Sequence, residues 1–313
     1  MISSRFILPR ALPVGGTIGV FSPAGPPNAE RVNRGITRLE GAGYRCVLAD
    51  AAIGAHEYFS ATDEVRLASF HQMLADPAID MMMMTRGGYG LSRLIHHIDW
   101  QAVAQSGKLL CGFSDFTAIN LAALAKCGFV TLAGPGVATD FGDESYDGEV
   151  AEQHTFMERH FWPLAHGQLM RVEVNAEHRY AAQTIDGPLW GSNLSLLAHL
   201  VGTPFMPNVA GGILFLEEID EKPYAVERMM LQLFHAGILQ TQRAILIGDF
   251  SDCDPESGRF PYTMEYVLRT LRELVDCPVL TGLPFGHVAR KLSIPFGADA
   301  TLAIADQRYT LRF

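Results

Sequence analysis

The sequence predicts an α/β protein with an N-terminal doubly wound, mostly parallel sheet flanked by helices, and a smaller, β-barrel-like C-terminal α+β domain. Two observations predict it. Short, fully apolar segments alternate with helix-like segments in the first half of the chain, which is typical of parallel strands covered on both faces. Beyond that half, strand-like segments outnumber helix-like ones. We therefore predict domains at 1–162 and 183–313, joined by a mixed, polar linker at 163–182.

The elements of the N-terminal domain follow from two kinds of pattern. Apolar side chains recur at helical spacing, as in Val32, Ile36 and Leu39, and the strand segments are short continuous apolar runs. Together they form repeated β–α units. The predicted strands are 17–21, 45–48, 81–84, 108–111 and 130–133, and the predicted helices are 29–42, 63–74, 91–98, 115–126 and 149–161.

The C-terminal domain shows the same two patterns in a different proportion. Two segments have clear helical spacing, and six short segments have strand character. The predicted helices are 225–236 and 262–275, and the predicted strands are 212–216, 243–249, 278–280, 292–295, 301–305 and 308–313.

Composition excludes several classes of partner. The net charge is −10 and the sequence has no basic run, so a nucleic-acid partner is disfavoured. No apolar stretch approaches the length of a membrane span, and residues 1–5 lack the basic start of a secretory signal. The five cysteines are odd in number and widely spaced, which favours free thiols in a reducing compartment. We predict a cytoplasmic protein that binds neither nucleic acid nor membrane.

Three predicted loops meet at the carboxyl ends of the N-terminal strands, where open parallel sheets bind ligands. They are 22–27, 86–90 and the turn at Ser114. Ser114 lies between a short apolar strand and a helix, as in the nucleophile elbow of serine hydrolases, although Phe116 stands where that motif has glycine. The alternative is that Ser114 only caps the helix. Gly87 and Gly88 either bring backbone N–H groups close to a substrate oxygen or serve the turn alone.

A nucleophilic serine needs a base and a carboxylate that orients the base. Glu217 and Glu218 end an apolar strand segment, and His287 lies in a glycine-bearing turn among apolar residues. Each of these residues can also have a purely structural role: the acids can begin a solvated loop, and the histidine can be a packed loop residue.

Patterns for metals and nucleotides are absent from the sequence. It has no H-E-x-x-H and no phosphate-binding G-x-x-x-x-G-K-[ST] motif. The acidic residues Asp249, Asp252, Asp254 and Glu256 do not have the spacing of a calcium-binding loop. We therefore predict no metal site and no cofactor.

Taken together, several segments resemble the LD-carboxypeptidases, a family of serine peptidases that includes muramoyltetrapeptide carboxypeptidases and the microcin C immunity protein. The matching pieces follow the family's order over nearly the whole chain, with one mild departure at Ser192, where the family usually has glycine. They are 22–23, 85–90, 112–117, 187–194, 202–204, 216–218, 223–224, 248–250, 286–287 and 295–297.

The resemblance implies a role for each candidate residue. Ser114 would be the nucleophile, His287 the general base and then acid, and Glu217 the carboxylate that orients His287. The backbone N–H groups of Gly88 and Asp115 would form the oxyanion hole. The choice of Glu217 over its neighbour stays open here, because adjacent strand residues face opposite sides and only one can reach the histidine.

The activity implied is that of a metal-independent serine carboxypeptidase that releases C-terminal D-alanine from a murein tetrapeptide by cutting an L,D-amide bond. The resemblance also implies a homodimer. Arg86, from its position beside the proposed oxyanion loop, is a candidate to bind the free carboxylate of the substrate.

Two alternative functions fit the same residues. One is a self-immunity peptidase that cleaves a microcin C-like aminoacyl-nucleotide, in which Trp190 could stack on the base. The other is a non-catalytic ligand-binding module in which Ser114 only caps its helix.

Overall fold

The structure is a computed structural model that describes residues 6–254 and 261–313. Within these ranges the strands are β1 (Thr17–Phe21), β2 (Arg45–Leu48), β3 (Met81–Met84), β4 (Leu109–Gly112), β5 (Thr131–Ala133), β6 (Arg171–Asn193), β7 (Ile213–Ile219), β8 (Ala244–Ser251), β9 (Val279–Leu280), β10 (Ile294–Phe296) and β11 (Asp299–Arg312). The helices are α1 (Ala29–Gly41), α2 (Asp63–Ala75), α3 (Trp100–Ser106), α4 (Thr117–Cys127), α5 (Ala151–Ala165), α6 (Leu194–Leu200), α7 (Pro223–His235) and α8 (Met264–Leu274).

Six of the described strands form the first sheet, in the order β10-β5-β4-β3-β1-β2. All neighbours are parallel except β10 and β5, which are antiparallel. From β1 the chain goes outward to β2 and then returns to β3 on the other side, so the direction of winding reverses between β1 and β3. The predicted doubly wound, mostly parallel sheet is confirmed, and its carboxyl edge at this reversal is where such sheets bind ligands.

Strand β3 shows why the first sheet carries helices on both faces. It consists of four consecutive methionines, all fully buried. Met82 and Met84 join one hydrophobic core, whereas Met81 and Met83 join the other. Because alternate strand residues face opposite sides, an all-apolar strand needs a covered core on each face.

Five of the described strands form the second sheet, in the order β11-β6-β7-β8-β9. The pairs from β6 to β9 are parallel, and only β11 is antiparallel to its neighbour β6. The α/β class is therefore confirmed, but this part of the chain is more parallel than the predicted α+β arrangement. Helices α6, α7 and α8 flank it and contact one another in sequence.

The predicted linker at 163–182 is wrong in its secondary structure. Helix α5 continues through Pro163 to Ala165, and strand β6 begins at Arg171. Along the start of β6, Val172, Val174 and Ala176 are buried while the intervening residues are exposed. The exposed polar residues that alternate with the buried ones favour a linker in the sequence. The segment is instead a half-buried strand paired with β11. The division into domains at 162 and 183 stays a prediction.

Other elements also differ from the prediction. Helix α6 was not predicted, and the strands predicted at 301–305 and 308–313 are one strand, β11. The strand predicted at 292–295 does not belong to the second sheet, because β10 pairs with β5 of the first sheet. The helix predicted at 91–98 is only a short 3-10 turn, Leu91–Arg93, and α3 follows it. Asp99 starts α3 by accepting hydrogen bonds from the N–H groups of Gln101 and Ala102 at 3.0 Å.

No helix in the described ranges is long and apolar enough to cross a membrane. All five cysteines lie in these ranges and each is unpaired. Residues 1–5, for which no secretory signal is predicted, and Glu256 of the acidic segment lie outside the described residues.

Candidate active site

Ser114 lies where strand β4 gives way to helix α4. Phe113 is extended, Ser114 has a φ of 60°, and a short 3-10 turn over Ser114–Phe116 leads into the helix. A positive φ is uncommon for serine and marks a tight turn that the surrounding structure has to hold. Gly112 permits it, because a Cβ there would lie 2.5 Å from Phe116 Cγ. The turn therefore raises the serine side chain above the carboxyl edge of the first sheet.

His287 comes from the loop between β9 and β10, and its ring bridges two side chains. Its Nδ1 lies 2.9 Å from Glu217 Oε2, and its Nε2 lies 3.0 Å from Ser114 Oγ. A carboxylate only accepts hydrogen bonds, so Nδ1 carries the proton and Nε2 is left to accept from the serine hydroxyl. The three predicted residues thus form one continuous hydrogen-bonded chain, in the arrangement that activates a serine hydroxyl.

The two adjacent glutamates at the end of β7 are both buried but have different partners. Glu217 reaches His287, whereas Glu218 accepts hydrogen bonds from Asn193 Nδ2 at 2.9 Å and from the N–H of Ser195 at 2.7 Å. Burial raises the pKa of Glu218, and hydrogen bonds from the start of α6 oppose that rise. The pairing of β7 with β8 is irregular at this point. The structure therefore places Glu217, and not Glu218, against the histidine.

The glycine-rich loop after β3 touches the serine turn directly. A Cβ on Gly87 would lie 2.8 Å from Ser114 Oγ and 3.3 Å from the backbone nitrogen of Asp115, so only glycine fits there. Gly88 follows with a φ of 111° and faces Gly25 of the loop after β1. Backbone groups of two loops thus converge beside Ser114, where oxyanion donors would have to lie.

The Asp115 side chain ties the serine turn to the glycine-rich loop. It is 2% exposed, and its Oδ2 accepts a hydrogen bond of 2.9 Å from the N–H of Leu91. Burial raises the pKa of Asp115 to about 6, although the Leu91 hydrogen bond and the charge of Arg66 oppose the rise. A carboxyl next to the nucleophile is therefore held in a setting that favours its neutral form.

This pKa predicts a pH dependence of stability. The folded value of about 6 exceeds the ordinary value of 3.8, so Asp115 favours folding below pH 4 and loses that contribution as pH rises through 6. Asp115→Asn mimics the neutral form and keeps an acceptor for Leu91. We expect its free energy of unfolding, relative to wild type, to increase by about 3 kcal/mol between acidic and neutral pH.

Urea unfolding near pH 4 and near pH 7 measures this difference. Asp306→Asn, at a carboxylate whose side chain is 65% exposed, is the matched control and should show no such change. If the free energy of unfolding of Asp115→Asn, relative to wild type, is the same at both pH values, the prediction is contradicted.

Arg66, which no sequence motif singled out, supports the loops from below. Its side chain is fully buried, and it donates hydrogen bonds to the carbonyl oxygens of Pro23 and Gly90, which follow β1 and β3. It also pairs with Asp63 and lies 4.6 Å from the Phe59 ring centroid. An arginine in a helix usually faces solvent, so no local pattern distinguishes this one. It joins the two loops that approach Ser114.

The two predicted substrate-binding side chains have different positions. Arg86 is exposed, donates to the carbonyl oxygen of Pro26 at 3.4 Å, and lies over Gly25 and Gly88. Trp190 is 1% exposed, so the predicted stacking on a base is wrong for this structure. Its Nε1 donates to Gln242 Oε1 at 2.9 Å, because a buried indole N–H needs an acceptor.

Among the described residues, no group of three or more histidine, cysteine, aspartate or glutamate side chains is arranged to hold a metal ion.

An apolar cavity of about 430 Å³ lies away from the site, at the opposite ends of β4 and β5. Leu109 and Thr131 line it, whereas Ser114, Glu217 and His287 do not.

Comparison with known proteins gives consistent matches along the chain. The model of the LD-carboxypeptidase N-terminal domain matches residues 18–134, and that of the LD-carboxypeptidase C-terminal domain matches residues 186–302. A probable murein peptide carboxypeptidase of Bacillus subtilis is 32% identical, with 96% of this chain and 92% of the relative covered. The microcin self-immunity protein MccF of Escherichia coli is 27% identical, with 96% and 94% covered.

A solved structure agrees with these matches. The crystal structure of muramoyltetrapeptide carboxypeptidase from Oxalobacter formigenes superposes with a TM-score of 0.84 at 35% sequence identity. The superposition covers 95% of this chain and 98% of the chain in that crystal structure.

Proposed function

The chain belongs to the LD-carboxypeptidase family, and we propose that it is a serine carboxypeptidase that releases the C-terminal D-alanine of a murein tetrapeptide. The family matches confirm the resemblance seen in the sequence. The observation that carries the proposal is the hydrogen-bonded chain from Glu217 through His287 to Ser114. Relatives named murein peptide carboxypeptidase and muramoyltetrapeptide carboxypeptidase support the substrate class.

The proposed reaction has two stages. Ser114 Oγ attacks the carbonyl carbon of the L,D-amide and passes its proton to His287 Nε2, which then protonates the departing amine of D-alanine. The resulting acyl-enzyme is hydrolysed by a water molecule that His287 deprotonates. Glu217 keeps Nδ1 protonated and stabilises the imidazolium that forms in each stage.

The oxyanion that develops during attack needs hydrogen-bond donors. We assign this role to the backbone N–H groups of Asp115, at the start of the turn into α4, and of Gly88. The close approach of Gly87 to Ser114 and to the Asp115 nitrogen supports the assignment. Each such donor typically contributes about 3 kcal/mol of transition-state stabilisation.

The position of His287 in the chain explains how the two parts of the site stay together. Its loop starts from β9 of the second sheet and ends in β10, which pairs with β5 of the first sheet. The segment that supplies the base is therefore anchored in both sheets, one of which supplies the nucleophile. This anchoring supports a site that is already assembled without substrate, at a hydroxyl-to-imidazole distance of 3.0 Å.

Arg86 is proposed to bind the free carboxylate of the substrate. Loss of one charge-assisted hydrogen bond removes about 2 kcal/mol, so we expect Arg86→Ala to lower kcat/KM by tenfold or more, chiefly through KM. Steady-state kinetics on the tetrapeptide measures this. Arg179→Ala, at an exposed arginine of strand β6, is the control and should leave the kinetics unchanged. Wild-type kinetics of Arg86→Ala would eliminate the role.

We also propose that the protein is cytoplasmic and forms a homodimer. Five unpaired cysteines suit a reducing compartment. The homodimer follows from the family resemblance alone, and light scattering after gel filtration tests it.

Mass spectrometry of a digested murein tetrapeptide tests the proposed reaction. We expect loss of one alanine from the peptide that ends in D-alanine, and no loss from the control peptide that ends in L-alanine. An aminoacyl sulfamoyl adenosine is tested in parallel, because the immunity protein MccF is among the relatives. Cleavage of that compound alone would replace murein peptide by an aminoacyl-nucleotide as the substrate. No cleavage of either would favour the non-catalytic binding module.

A further inference from the structure

The loop that carries His287 has little regular structure of its own. It runs from Pro284 to Lys291 between β9 and β10, and the N–H of Leu292 closes it by donating to the carbonyl oxygen of Pro284 at 2.7 Å. Within it, His287 to Ala289 are half-buried and Arg290 is exposed. The geometry of the proposed proton transfer therefore depends on what holds this loop against the first sheet.

Lys291, at the end of the loop, is buried against the first half of the chain. Its side chain is 2% exposed, and its Nζ lies 2.8 Å from Asp140 Oδ1. Asp140 belongs to a π-helical turn that follows β5, and its other oxygen accepts from the N–H of Gly136 at 2.8 Å and from the hydroxyl of Thr139 at 2.9 Å. Both charges are thus buried, and the carboxylate is satisfied on each oxygen.

The same ammonium group contacts the residue that precedes the nucleophile. Lys291 Nζ lies 3.3 Å from the centroid of the Phe113 ring, a cation–π contact. The Phe113 ring in turn lies 5.1 Å from the His287 ring. One buried cation therefore joins the serine turn, the π-helical turn and the histidine loop behind the reacting atoms.

A buried ion pair is weak evidence for a purely stabilising role. Removing two charges from water is unfavourable, and buried ion pairs can often be replaced by apolar residues without loss of stability. Placement accounts for it better, because a displacement of about 1 Å between reacting groups can lower a rate about 100-fold. We propose that Lys291 and Asp140 are positioning residues, which hold His287 Nε2 within hydrogen-bonding reach of Ser114 Oγ.

The proposal rests on the catalytic roles proposed above, and paired substitutions test it. Lys291→Met with Asp140→Asn removes both charges and the hydrogen bond between the two side chains, which is the link tested here. It keeps an acceptor for the N–H of Gly136. We expect this variant to melt within a few degrees of wild type, to keep its KM, and to lose kcat by 10-fold to 100-fold. The rate at which a fluorophosphonate modifies Ser114 should fall by the same factor.

A second pair of substitutions keeps the link and removes only the charges. Lys291→Gln with Asp140→Asn allows a neutral hydrogen bond at the same place, and we expect its kcat to lie within about threefold of wild type. Arg290→Met, at the exposed neighbour whose guanidinium lies 3.8 Å from the Phe156 ring centroid, is the matched control and should keep wild-type kcat.

Each result supports or overturns the positioning role. Wild-type kcat and labelling rate in a folded Lys291→Met, Asp140→Asn variant would overturn it, as would a loss confined to KM. A kcat loss in the glutamine pair as large as in the methionine pair would also overturn it, because charge and not placement would then matter. If wild type itself is neither active nor labelled, the proposed function fails together with the positioning role.

Discussion

Ser114→Ala is expected to lower kcat/KM on the murein tetrapeptide by at least about 10⁴-fold. The substitution removes the oxygen that lies 3.0 Å from His287 Nε2 and leaves the histidine without a group to activate. Loss of a serine nucleophile in such a triad typically removes nearly all of the rate that the triad provides. The quantity to measure is release of D-alanine at saturating and limiting peptide concentrations.

The alanine variant should fold, because the Ser114 hydroxyl makes no other hydrogen bond within the described structure than that to the histidine. Ser106→Ala, at a serine whose hydroxyl bonds the Val103 carbonyl oxygen, is the control and should keep wild-type activity. Retention of more than about one-tenth of the activity by folded Ser114→Ala would show that another group attacks the peptide.

Glu217→Gln is expected to lower kcat by about 10⁴-fold while leaving the protein at least as stable as wild type. The amide cannot hold the protonated Nδ1 of His287 and stabilise the imidazolium as the carboxylate does. The same substitution is not expected to lower the free energy of unfolding. Glu217 is fully buried, and its Oε1 has no hydrogen-bond partner within the described residues, so a neutral side chain there is less costly to bury.

Glu218→Gln is the matched comparison, one residue away. Its carboxylate accepts hydrogen bonds from Asn193, Ser195 and Ile219, and an amide would turn a donor towards one of them. We expect a loss of about 1–3 kcal/mol in unfolding free energy and a kcat within about tenfold of wild type. Steady-state kinetics and urea unfolding of both variants separate the two roles. The reverse pattern would mean that Glu218 orients the histidine.

Much of the first sheet could be predicted from the sequence because its strands are buried on both faces. Continuous apolar runs such as 81–84 indicate buried parallel strands when they alternate with amphipathic helices. The second sheet was harder. Its long strand β6 alternates buried valines with exposed polar residues and is completed by β11, which lies more than 100 residues later in the chain.

In the site, too, residues within short motifs could be predicted, whereas contacts between distant parts of the chain could not. Ser114, Glu217 and His287 could be named because short motifs around each resemble a family, although composition and spacing alone left each with a structural alternative. The choice of Glu217 over Glu218 needed the structure, in which Glu217 Oε2 lies 2.9 Å from His287 Nδ1. The Lys291–Asp140 pair could not be predicted, because its members are 151 positions apart and neither lies in a recognisable motif.

Activation of Ser114, in the turn after β4, by His287, from the loop between β9 and β10, underlies every catalytic role proposed above. Treatment with a fluorophosphonate, followed by intact-mass and peptide mass spectrometry, measures this activation. We predict one adduct per chain, located on Ser114, and its loss in folded His287→Ala. An unmodified Ser114 in protein that releases D-alanine, or equal modification without His287, would contradict the proposed activation.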